Sequence, residues 1–124
     1  MRYCLTAENY AELAALYGKY AGLGLEILGF PSNEFASEEP GTNAEIQDFA
    51  KARGATYPVF AKVEVNSSGA ILLYTFLKDR QGGGLDISWN FAKFLCDADG
   101  VPVKRFDPNE SPLSFEQDIV DLLK

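Results

Sequence analysis

The sequence predicts an α/β fold, a mixed sheet flanked by helices. Three observations carry this. Apolar residues recur at steps of three and four in some segments, and in short runs or by alternation in others. The two kinds of segment alternate along the chain and end on two strands around Asp97-Ala98-Asp99-Gly100. The 124 residues make a single domain, 1–124, long enough to bury roughly two thirds of its unfolded surface.

The first helix is expected from Thr6 to about Ala21. Tyr10, Leu13, Leu16, Tyr17 and Tyr20 form one apolar stripe, with Ala14 beside it. Thr6 is placed to cap its start, Glu8 favours its first turn, and Gly22 and Gly24 end it. Leu25 to Phe30 is short, apolar and bounded by Gly and Pro, so it reads as a largely buried strand. Pro31 to Gly41 is rich in turn residues. Thr42 and Glu45 have the spacing of a capping box for a second helix, buried through Ile46, Phe49 and Ala50. Tyr57 to Val65 alternates as an extended piece, and Asn66 to Gly69 is a turn. Ile71 to Arg80 has helical spacing and is stopped by Gln81-Gly82-Gly83-Gly84. A hairpin follows, Asn90 to Cys96 and Val101 to Phe106, with Pro102 marking an edge. The last helix is expected near Ser114, with Gln117 in capping-box spacing and Phe115, Ile119, Leu122 and Leu123 buried. The chain opens on a helix, whereas such a layer usually starts with a strand. A first strand is therefore expected to be missing.

Eleven basic against eighteen acidic residues give −7 at pH 7. A surface this acidic repels phosphate backbones and anionic lipid heads, so nucleic acid and membrane surfaces are disfavoured partners. The absence of His removes Ser-His-Asp and Cys-His mechanisms and imidazole metal ligands. Cys4 and Cys96 form no CxxC, zinc pattern or disulfide framework, which fits a reducing compartment. No stretch reads as a secretory signal or has the ~20 apolar residues of a membrane helix. The expected location is intracellular, cytoplasmic or organellar.

Several blocks together resemble the glutathione peroxidase family. They are Thr6-Ala7-Glu8-Asn9-Tyr10 through Leu13; Phe30-Pro31-Ser32-Asn33-Glu34-Phe35 through Glu39-Pro40-Gly41; Lys62-Val63-Glu64-Val65-Asn66; Trp89-Asn90-Phe91-Ala92-Lys93-Phe94-Leu95; and the Asp97–Gly100 and Ser111–Glu116 endings. The resemblance implies a thioredoxin-like fold and reduction of hydrogen peroxide or organic and lipid hydroperoxides. A low-pKa thiolate attacks the peroxide and is restored by glutathione or another thiol, with no cofactor. By the same resemblance Trp89 and Asn90 are the indole and amide donors that steady the charged sulfur, and Glu38 stands where the family has a third donor, a Gln.

The departures leave alternatives open. Either Tyr3 occupies the reactive position and the nucleophile is lost, or a Gly is deleted and Cys4 is the peroxidatic thiol. An ionised Glu38 raises a neighbouring thiol's pKa and accepts without donating. Glu34, Glu38 and Glu39 crowd one loop. Ser32 stands at the loop Cys position and Lys51 at the resolving-Cys position, so recycling calls for an external thiol. Cys96 reads as a small core residue. Lys19, Lys51 and Arg53 could meet an anionic thiol, but spread charges of this kind are usually solvated surface. The rival to the enzyme is a truncated, catalytically impaired relative acting as a structural or interaction subunit, its vacant sheet position open to another chain. A third alternative is that Met1 is not the true start. Monomer and subunit of a larger complex both fit.

Overall fold

The computed structural model describes residues 2–35, 39–66 and 68–124, and for residues 2–6 the backbone only. Helix α1 spans Arg2–Tyr20. Thr6 thus lies inside it and does not cap it; neither Gly nor Pro among residues 2–5 resists the helix. The end comes where expected. A 3-10 turn, Ala21–Leu23, closes on Gly24, whose φ of 113° is left-handed, and the Leu25 N–H returns to the Tyr20 carbonyl.

Residues 25–30 form no regular strand. They run extended and meet the chain at a single parallel bridge, Gly29 with Val59. Gly29 donates to the Pro58 carbonyl at 2.9 Å and accepts from the Phe60 N–H at 2.8 Å. The expected burial is also only half present: Leu25 and Ile27 turn inward while Glu26 and Leu28 are exposed. With a partner on one edge only, the segment has no second ladder to hold it.

Helix α2, Asn43–Ala52, carries the capping box as read: Thr42 and Glu45 exchange side chain-to-backbone bonds. Helix α3 spans Leu72–Arg80. Strands β1, Lys93–Cys96, and β2, Pro102–Phe106, pair antiparallel with an irregularity at Leu95/Cys96. This pair is the regular sheet among the described residues. Asp97 closes its turn by accepting from the N–H groups of Asp99 and Val101, and Gly100 takes a φ of 83°. β1 starts later than expected because Phe91 adopts a φ of 66°, which bends the chain out of extended form. Helix α4, Glu116–Leu123, is preceded by a 3-10 turn, Pro112–Phe115. No side chain caps α4. The expected Ser114–Gln117 box is not formed, since the Ser114 hydroxyl donates backward to the Ser111 carbonyl.

The core is divided. Leu16, Tyr20, Phe106, Phe115 and Ile119 join α1 to the C-terminal elements. Phe35, Val65 and Ile87 form a second cluster, and Ala50, Ala55 and Tyr57 a third. Domains of this size ordinarily have one contiguous core. Here an apolar cavity of about 650 Å³ lies between the clusters. A sealed dry void of that volume would cost ~16 kcal/mol at roughly 24 cal/mol per Å³, as much as the whole stability of a domain. The space is therefore a partly open slot, not a packing fault. It lies where the sequence expects a strand to be missing, between residues 25–30 and β1.

Candidate active site

The chain reaches the corner at Trp89 and Asn90 through a braced approach. Asn66 bonds the Ile87 backbone twice, donating to its carbonyl at 2.8 Å and accepting from its N–H at 2.7 Å. The Lys78 ammonium, 8% exposed, donates to the Val65 carbonyl and reaches Asp86 at 3.3 Å. Two segments distant in sequence are thus held in register just before Trp89. The Trp89 ring then packs at 6.0 Å from Phe35, and Phe91 sets its edge 5.5 Å from Tyr10 of α1. Trp89 and Asn90 are half-buried, and both line the cavity. The sequence started a strand at Asn90, with Trp89 just before it; the left-handed Phe91 makes both a turn at the mouth of β1 instead.

Buried Ser32, at the loop Cys position, lines the same cavity. Lys51, at the resolving position, is exposed on α2 and does not line it. Glu34 is not a loose loop charge. Its carboxylate accepts from the backbone N–H groups of Val65 and Asn66, the latter at 3.1 Å, and from the Ser32 hydroxyl at 3.4 Å. Its charge is spent on fixing the loop. Glu38 lies outside the described residues, as do the side chains of Tyr3 and Cys4; the Cys4 backbone falls within α1. Cys96 also lines the cavity. Burial, then the Asp97 carboxylate, pushes its thiol upward, the wrong direction for a nucleophile.

Lys93 is a cavity residue whose place the residue order alone did not reveal. Its ammonium donates to the carbonyls of Glu110 at 2.9 Å and Pro108 at 3.4 Å. Burial pushes its pKa down to about 8 against the pull of Glu110, Glu8 and Glu12. The only signal was its position inside the Trp89–Leu95 block.

The sequence pattern of glutathione peroxidases matches residues 1–78. This chain belongs to the glutathione peroxidase family. It is 57% identical over 122 residues to the probable phospholipid hydroperoxide glutathione peroxidase 6, mitochondrial, of Arabidopsis thaliana, covering 96% of this chain and 53% of that one. Against the probable phospholipid hydroperoxide glutathione peroxidase of Citrus sinensis it is 52% identical over 123 residues, covering 97% and 74%. The chain thus spans between about half and three quarters of the length of these two relatives. Its fold is similar to T. cruzi GPX1, with a TM-score of 0.75 and 38% identity over 94% of this chain and 71% of that one. It is also similar to the apo form of Trgpx, with a TM-score of 0.74 and 29% identity over 93% and 70%. The fold is therefore the thioredoxin-like α/β fold of glutathione peroxidases. Among the described residues no helix is long and apolar enough to cross a membrane.

Proposed function

We propose that this member of the glutathione peroxidase family reduces hydroperoxides with thiols, and that Cys4 is its nucleophile. The observation that carries the reading is the Trp89–Asn90 corner. It offers an indole N–H and an amide beside an apolar cavity, and neutral donors favour a charged sulfur without adding charge of their own. The other thiol, Cys96, is pushed toward its unreactive protonated form, which leaves Cys4 as the candidate. The Cys4 thiolate attacks the peroxide O–O bond. One oxygen stays on sulfur as the sulfenic acid, and the other leaves with a proton as alcohol or water. A first external thiol forms a mixed disulfide and releases water. A second frees Cys4 and leaves as the disulfide, so the two electrons come from two thiols. Glutathione or a similar small thiol fits the exposed Lys51 at the resolving position. The relatives' names support hydroperoxides, lipid hydroperoxides included, as substrate class and a mitochondrial or chloroplastic setting as one possibility within the expected intracellular range. They favour this reading over a chemically silent subunit.

Intact-mass measurement after one equivalent of hydrogen peroxide, beside a coupled assay of glutathione oxidation, tests the proposal. The wild type and Cys96→Ser should gain one oxygen and turn over. Cys4→Ser should do neither. Full activity in Cys4→Ser would overturn it.

A further inference from the structure

Between the end of α3 and the start of β1 the chain passes through no helix or strand, so no ladder of its own fixes where Trp89 and Asn90 stand. Side chains from other segments brace it. Arg105 of β2 holds the carbonyls of Gln81, Leu85 and Asp86. Asn66 grips closer to the corner, and takes both backbone groups of one residue, the carbonyl and the N–H of Ile87. One side-chain amide thus stands in for a strand neighbour. It can do so because an amide carries donor and acceptor side by side, whereas a carboxylate lacks the donor. Asn66 is itself held by charges on both sides. The Glu34 carboxylate accepts from its backbone N–H and from that of Val65, and the buried Lys78 ammonium donates to the Val65 carbonyl at 2.6 Å. Val65 and Ile87 share one buried cluster with Phe35, and Trp89 packs against it.

We infer that Asn66 is a positioning residue of the peroxidase site: it aims the Trp89 and Asn90 donors and through them sets the ionisation of the nucleophilic thiol. The inference rests on the reading of Cys4 as that nucleophile. Asn66 does not line the cavity, so it acts through Ile87 and not by contact with the sulfur. Aim matters because a hydrogen bond weakens steeply off line, and a donor stabilises a thiolate only while it points at the charge. Packing alone is non-directional. A turn released at Ile87 could keep its apolar contacts and still lose the direction of its N–H groups.

The test is the pH profile of Cys4 alkylation by iodoacetamide in the full chain, with Cys96→Ser as background. Trp89 is the only tryptophan, so its emission follows the same titration at the corner. Asn66→Ala should raise the Cys4 pKa by about one unit, which slows alkylation about tenfold on the acid side. The rate at high pH, where the thiol is fully ionised, should stay within about threefold. Asn66→Asp keeps the acceptor and loses the donor, so it serves where Asn66→Ala does not fold. It should move the pKa the same way in about 0.5 M potassium chloride, where an added charge is screened. Thr42→Ala, a loss of stability on α2 away from the corner, should leave the profile in place. A depressed wild-type pKa that neither Asn66 variant moves, or that Thr42→Ala moves equally, would overturn the inference alone. A wild-type Cys4 at the ordinary value of about 8.5, with Trp89 emission flat across it, would remove the Cys4 reading and the inference together.

Discussion

Glu34 and Lys93 show how much a single charge depends on what it touches. A carboxylate in a turn-rich loop is ordinarily solvated, yet Glu34 serves as the acceptor for two backbone N–H groups of the segment that precedes Ile87 and Trp89. Glu34→Ala leaves those donors without a partner. It should lower stability by ~1–3 kcal/mol in urea unfolding, and the Trp89 fluorescence transition should move with it. Lys93 makes a signed prediction. Its folded pKa of about 8 lies below the ordinary 10.5, so between those values the unfolded chain holds more protons. Stability from this residue therefore rises with pH across that window. Above about pH 10 the opposite contribution begins, because burial holds Tyr74 up to about 12 and also raises Tyr57. Unfolding of wild type and Lys93→Met compared from pH 7.5 to 10 should show the wild type gaining on the variant. A constant difference would remove the assignment.

Elements differ in how much of their own support they carry. α2 is closed locally at its start by Thr42 and Glu45, which is why that start could be read from residue order. Thr42→Ala should cost about 1 kcal/mol in thermal or urea unfolding. Residues 25–30 depend on neighbours. Their composition suits a strand, but a strand is completed by the ladders beside it, and one bridge does not make one. The segment after α3 is held from afar by Arg105 of β2. Its guanidinium donates to the carbonyls of Gln81, Leu85 and Asp86 at 3.2, 2.8 and 2.8 Å. Arg105→Lys loses that fork. Amide exchange across residues 81–86 should quicken, while the β1–β2 hairpin keeps its protection.

At the scale of the whole molecule, three small clusters take the place of one core. Stability then rests on the few side chains that join elements far apart in sequence. Leu16, 1% exposed, ties α1 to β2 and the C-terminal turn. Leu16→Ala should cost ~2–5 kcal/mol, enough to unfold much of the population of a marginal domain. Circular dichroism at increasing urea reads it directly. The acidic surface adds self-repulsion throughout, so moderate salt should raise the melting temperature of wild type and variant alike.

The order of residues by itself determined the helices, the hairpin, the family and the membership of Trp89 and Asn90 in one block. Each of these rests on local periodicity, on a cap or turn a few residues long, or on a contiguous motif. The tertiary structure decided that the corner is a turn, since the left-handed backbone at Phe91 is a choice made by packing against Tyr10. It also decided that Glu34 is a backbone clamp, that Lys93 is half-buried at a cavity wall, and that residues 25–30 stop short of a strand. These are long-range matters: a ladder, a desolvated ammonium and a filled or empty slot exist only when segments distant in sequence meet.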